Sequence, residues 1–144
     1  MTIKCEIVSQ DRVVFQGDVD MVVLPGAAGE MGILPHHSPV LSVLNYGIVT
    51  VKQNGREEHF TVAGGVAEVQ PDQVTILADA AENVVEIDVQ RAMLARQKAE
   101  ERLKDLKTVD KDRYMVMLSA LKRSNLRLQA ANKYKADFGK KDIH

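Results

Sequence analysis

The segment LPGAAGEMGILPHHSP, Leu24 to Pro39, holds glycines at 26, 29 and 32, two adjacent histidines and three of the chain's four prolines. A phosphate loop needs Gly-x4-Gly-Lys-Ser/Thr between a strand and a helix, so that amides and a lysine face the anion. Here no Lys or Arg falls between Arg12 and Lys52, and Glu30 inside the glycine run would repel phosphate. Pro35 and Pro39 also disfavour a following helix. A metal site fares no better. His36 and His37 point opposite ways in an extended chain. His59 and His144 are distant in sequence, and no Cys or carboxylate sits at a ligand spacing. Cys5 is alone, which excludes a disulfide framework and a cysteine metal cluster. A general base at His36 or His37 lacks a paired nucleophile or acid. What remains is a proline-braced loop between strands, with glycines where φ is positive or backbones approach closely. Its functional version is a protein-docking surface.

The elements that must hold this segment are legible from punctuation. Eight of the nine glycines lie between Gly17 and Gly65, and every proline lies at or before Pro71. From Asp72 to Phe138 there is neither Gly nor Pro, so turns fill the first half and long elements the second. Ile3, Cys5 and Ile7 alternate with other residues at the period of a strand. YGIVTVKQNGREEHFTVAGG is two strands around Asn54-Gly55, a pair suited to a type I′ hairpin because both residues need positive φ. VAEVQPDQVTILAD turns at Pro71-Asp72. Short strands with turns about every ten residues predict an all-β sandwich over 1–84.

Residues 85–144 predict an antiparallel two-helix hairpin. Ala92, Ala95, Ala99, Leu103 and Leu106 share one helical stripe. Tyr114, Met117, Leu118, Leu121, Leu128 and Ala131 share another. The break falls near 107–112, and Asp88 with Asp110 or Asp112 are the expected N-caps. So thin a stripe predicts a hairpin that must dock on something, and one whose alternative states lie close in energy.

Charge divides at the same joint. Residues 1–84 hold 4 Lys/Arg and 11 Asp/Glu, a balance of −7, while 85–144 hold 15 and 9, a balance of +6. No apolar run approaches the roughly 20 residues that span a bilayer. MTIKCEIVSQDR reads as a strand rather than a leader, which predicts an intracellular protein.

GEMGILPHHSPV, the GGxxEVxPxxVTxLAD run from Gly64 to Asp79, and the two-helix segment after them resemble the epsilon subunits of bacterial F-type ATP synthases. The resemblance covers nearly the whole chain, in order. It implies an N-terminal β-sandwich docked on the rotor and a C-terminal regulatory hairpin. It places the 24–39 segment against the membrane rotor, with Glu30 at the polar loops of the c-ring and His37 near the gamma subunit.

The resemblance also implies ATP as a regulatory ligand. Some bacterial members carry Ile/Leu-Asp-x-x-Arg-Ala, which stands here as Ile87-Asp88-Val89-Gln90-Arg91-Ala92, with the family's preceding acid at Glu82. The family's arginine pair four apart matches Arg123 and Arg127. A further family arginine falls at Lys98, a point charge without Arg's planar fork. Asp88 and Glu82 would accept from adenine or ribose, Ile87 and Ala92 would pack the base, and the cations would hold the phosphates. Helical spacing puts Arg123 and Arg127 on one face, away from the Tyr114/Leu118/Leu121/Leu128 stripe. The bland reading of the motif is an N-cap at Asp88 with Arg91 as its i+3 ion-pair partner. No metal, phosphate loop or hydrolytic triad accompanies the motif, so the expected protein is a non-catalytic subunit to which ATP is a signal.

Residues 113–141 hold 8 Lys/Arg and one acid, Asp137. In the family this helix rises along gamma toward acidic segments of the catalytic beta subunits, beside alpha, and blocks hydrolysis. The implied location is peripheral, at the cytoplasmic face of the bacterial inner membrane. The rival within the family is a structural rotor subunit without ATP binding. A nucleic-acid binder is disfavoured by the acidic first half and the lack of aromatics interleaved with the basic residues.

Overall fold

Alternation sets the first strand: Ile3, Cys5 and Ile7 are buried and Lys4 is exposed along β1, Ile3–Val8. The computed structural model describes residues 1–105 and 110–135; Leu106, Asp137, Lys140, Lys141, His144 and positions 107–109 of the expected helix break lie outside the described residues. The chain divides into two compact units, Met1–Val84 and Val85–His144.

The first unit continues with β2 (Val13–Val19), β3 (Met21–Gly26), β4 (Gly29–Ile33), β5 (Val40–Gln53), β6 (Arg56–Val69), β7 (Gln73–Ala78) and β8 (Ala81–Asn83). Their order is β2-β1-β7-β6-β5-β3-β4, with β8 also on β6. β1 and β7 run parallel and the other described pairs antiparallel. β2 packs against β5 and β8 without sharing a ladder with them, so the sheet folds into two layers. Phe15 and Phe60 meet there, ring centroids 5.4 Å apart. Ile3, Ile7, Val22, Leu24, Ile33, Val49, Val62 and Ile76 are among the residues that fill the core. Each such side chain contributes about 1.5–3 kcal/mol by leaving water.

Turn chemistry closes the strands where the sequence places it. Asn54 and Gly55 take φ of 52° and 78°, the signs of a type I′ turn. Pro71-Asp72 is bracketed by reciprocal bonds between Gln70 and Gln73, with N···O distances of 2.8 and 3.4 Å. Gly64 and Gly65, at φ of 87° and 130°, form the corner where β6 changes partner from β8 to β7. A Cβ on Gly65 would strike the carbonyl oxygen of Leu77.

The 24–39 segment departs from the expected loop. β3 runs through Pro25 to Gly26, and β4 pairs with it from Val22–Ile33 to Gly26–Gly29. Glycine hid the strand pattern: a Cβ on Gly26 would come 2.8 Å from the carbonyl oxygen of Gly29, so the strands close only without a side chain there. The irregular stretch shrinks to 34–39. It is tied to the Pro71 turn by the His36 N–H, which donates to the Pro71 carbonyl at 2.8 Å.

A 3-10 turn, Val84–Glu86, leads into the second unit. It contains α1 (Val89–Asp105), α2 (Lys111–Ala130) and a π-turn, Ala131–Lys135. Asp110 caps α2, its carboxylate accepting from the N–H groups of Asp112 and Arg113 at 3.0 and 3.3 Å. α1 and α2 pack together, and a bond from Lys135 to Ile87 sets them antiparallel. Ile87 is the one large side chain fully buried among the described residues of this unit; the other buried residues are small: Ala92, Ala99, Ser124, Ala130 and Ala131. Leu103, Met117, Leu121 and Leu128 are only half-buried. Positions 92, 96, 99 and 103, and 117, 121, 124, 128 and 131, step by four and three, the spacing of a coiled-coil seam. The expected stripes need two corrections. Ala95 and Leu118 face solvent, and Ser124 takes an inner place, because its hydroxyl bonds back to the Ala120 carbonyl at 3.0 Å and needs no water.

Candidate functional site

The motif 87–92 forms the start of α1. Asp88 is the residue before the helix, and its carboxylate accepts from the Arg91 N–H at 3.0 Å while its carbonyl accepts from Ala92 N–H at 3.0 Å. This is N-cap geometry. The expected Asp88–Arg91 contact is thus made through the Arg91 main chain, and the Arg91 side chain is exposed. Ile87 and Ala92 are both 0% exposed, so in this conformation neither offers the surface for base packing expected of it.

The cations sit on two helices. Arg91 and Lys98 are exposed and two turns apart on α1, hence on one face. Arg96, half-buried, lies 3.9 Å from Glu100, an exposed i,i+4 pair that contributes little. On α2, Arg123 is exposed as expected. Arg127 is a correction: it is half-buried beside the seam and already engaged, because one turn beyond Arg123 it faces partly inward between Ser124 and Leu128. Glu82 belongs to the first unit, on β8 in register with Thr61, and has an interaction of its own.

The other expected contacts lie on the sandwich. Glu30 is exposed on β4, opposite Pro25. His37 is half-buried, with Nδ1 2.7 Å from the Ser38 carbonyl. That carbonyl can only accept, so Nδ1 carries the proton. His59 meets Thr50 Oγ1 at 2.9 Å and Glu57 at 3.5 Å within the β5–β6 ladder. Among the described residues no group of three or more His, Cys, Asp or Glu could hold a metal. Cys5 is buried, and burial, with Glu6 adding to it, pushes its thiol up to about 12. No described helix is long and apolar enough to cross a membrane.

One surface was not read from the sequence. The register aligns Val13 with Val8, Val8 with Leu77, Leu77 with Val66, and Val66 with Val43. These five form an apolar row on the outer face of the sheet, across β2, β1, β7, β6 and β5. Val13, Leu77 and Val43 are 52%, 50% and 62% exposed, and Leu41 beside them 72%. The available signal was Val8, an apolar residue out of phase with the inward positions 3, 5 and 7. A contiguous exposed apolar patch marks a place where another surface docks.

Known proteins resemble the chain over the same two units. The family model described as the ATP synthase delta/epsilon chain β-sandwich domain matches residues 2–84. That for the long alpha-helix domain of the same chain matches residues 86–132. The ATP synthase epsilon chain of Alkalihalophilus pseudofirmus is 50% identical over 106 residues, 74% of this chain and 80% of that one. That of Halalkalibacterium halodurans is 43% identical over 132 residues, 92% and 98% of the two chains. A chain in the cryo-EM structure of the Euglena gracilis mitochondrial ATP synthase, comprising OSCP, F1 and c-ring, superposes with a TM-score of 0.73 at 26% identity, over 90% of this chain and 81% of that one.

Proposed function

The chain belongs to the delta/epsilon family of ATP synthase subunits, and from that premise we propose that it is the epsilon subunit of a bacterial F-type central stalk, with a hairpin that restrains ATP hydrolysis and responds to ATP. The sandwich docks on gamma and the c-ring. The hairpin opens toward the catalytic beta subunits and their alpha neighbours. The protein is then peripheral, held at the cytoplasmic face of the inner membrane by the complex. ATP is a signal in this reading and the subunit itself is non-catalytic.

The observation that carries the regulatory half is the hairpin seam. Between the two helices the fully buried side chains are alanines and one serine and the larger ones are only half-covered; Ile87, just before α1, is the one large side chain fully buried among the described residues of the unit. Burial of so little apolar area leaves the closed and open hairpins close in free energy. A ligand bound only by the closed state then shifts the balance by RT ln(1 + [L]/Kd). Arg91, Lys98 and Arg123 present exposed positive charge for a triphosphate. The docking half rests on the apolar row from Val13 to Val43, which needs a cover, and on the similarity to a chain of an assembled ATP synthase.

The specific competitor is a structural stalk subunit without nucleotide. It is favoured by the Asp88–Arg91 N–H bond, which gives the motif's acid a purely local role. Reconstitution separates the two. The full chain, added to a bacterial ATP synthase lacking its own epsilon, is expected to suppress hydrolysis, with relief at millimolar ATP. Leu77→Glu is expected to abolish assembly without unfolding the chain. Assembly with no effect on hydrolysis would leave the structural role alone, and undiminished assembly of Leu77→Glu would remove the apolar row from the docking surface.

A further inference from the structure

The Nζ of Lys135 donates to the main-chain carbonyl of Ile87 at 2.7 Å, across 48 residues of sequence. Ile87 precedes the capping Asp88, and the first bond of the α1 ladder runs from Ala92 N–H to the Asp88 carbonyl. The Ile87 carbonyl therefore lies outside that ladder, and Lys135 supplies a partner that α1 does not. The bond is short and charge-assisted. It joins the two helices at the end where α1 starts and the 131–135 turn follows α2.

We propose that Lys135 is the latch of the hairpin: its bond to the Ile87 carbonyl holds the end of α2 against the first residue of the 87–92 motif, so that latch closure and ATP binding favour the same state. The coupling to ATP rests on the nucleotide reading above. The holding of the hairpin does not.

Three features make this a latch rather than a fixed strut. Apart from Ile87 itself, the seam behind it fully buries only alanine and serine and covers the larger side chains in part, so a charged hydrogen bond adds measurably to what holds the helices together. The ammonium sits at the N-terminal end of α1, where the helix dipole opposes a cation. Lys135 also lies eight residues beyond Arg127, so fixing it fixes where Arg123 and Arg127 stand along the α1 motif. While the closed state dominates, the latch and a ligand taken only by that state each slow opening by a factor of their own, and loss of the latch alone changes ATP affinity little.

The test uses the full chain with Lys135→Met, which keeps length and removes the donor, and Lys135→Arg, which keeps one. Amide hydrogen exchange without nucleotide reads closure directly, with the amides of β5 and β6 as the internal control for folding. Lys135→Met is expected to speed exchange in α1 and in 131–135 about tenfold, the scale of one charged hydrogen bond, while β5 and β6 stay unchanged. Saturating ATP is expected to slow exchange in the same amides, in the unmutated chain and in Lys135→Met alike, and Lys135→Arg to restore most of the lost protection. Unchanged helix exchange in Lys135→Met overturns the latch whatever ATP does. Helix exchange that ATP leaves unchanged, in a chain that binds ATP, overturns the coupling to the nucleotide. If the unmutated chain binds no ATP, the nucleotide reading fails, and the exchange arm still decides the latch.

Discussion

At Asp88 a single carboxylate is asked to do two things, and a substitution can separate them. Serine caps a helix about as well as aspartate, but it cannot supply a negative acceptor to a nucleotide. Asp88→Ser is expected to change stability by no more than roughly 0.5 kcal/mol and to weaken ATP binding about tenfold or more. Thermal unfolding and calorimetry on the same sample check both. Unchanged affinity would leave Asp88 a cap and nothing else. Cys5 gives a second test at this scale. Its thiol rises from the ordinary 9.0 to about 12 in the folded chain because burial disfavours the thiolate. The unfolded chain therefore releases its proton first. The thiol's contribution to stability is complete below pH 9.0 and is lost progressively as pH rises toward about 12. Urea unfolding as a function of pH is expected to show this decline, and Cys5→Ala to flatten part of it.

At the scale of elements, the corner at Gly64-Gly65 is where side-chain-free backbone is essential. Gly65→Ala combines a φ of 130° with a collision at the Leu77 carbonyl, and is expected to cost about 3 kcal/mol or more, read from the urea midpoint. The β1 alternation and the Asn54-Gly55 turn are legible in the sequence, and the α2 cap to within Asp110 or Asp112, because each is set by neighbours in sequence. β4 is not legible there. Its glycines carry no alternation, and what makes Gly29–Ile33 a strand is pairing with β3. The apolar row from Val13 to Val43 was hidden for a related reason. It exists only once five strands are in register, and along any one strand it is one or two residues. Lys135 was hidden most completely, since a lysine near a helix end has no distinguishing spacing, and its partner is a main-chain carbonyl 48 positions away.

For the whole molecule, the division of labour follows the charge and burial of the two units. The acidic first unit, Met1–Val84, is a well-filled sandwich with one uncovered apolar row, which suits a permanent joint to a rotor. The basic second unit is a hairpin whose buried side chains are small apart from Ile87, with two aspartate caps and one latch, which suits a part that changes state. Sequence spacing placed Arg123 and Arg127 on one helix face. It did not reveal that Arg127 is half-buried at the seam, because that depends on how α2 is rotated against α1. The central claim is that this hairpin responds to ATP. Calorimetric titration of the full chain with ATP, beside Arg123→Ala/Arg127→Ala, tests it most directly. Saturable one-to-one binding that the double variant loses is the expected result. No heat from the unmutated chain up to millimolar ATP would contradict it, and would leave a stalk subunit governed by its protein partners alone.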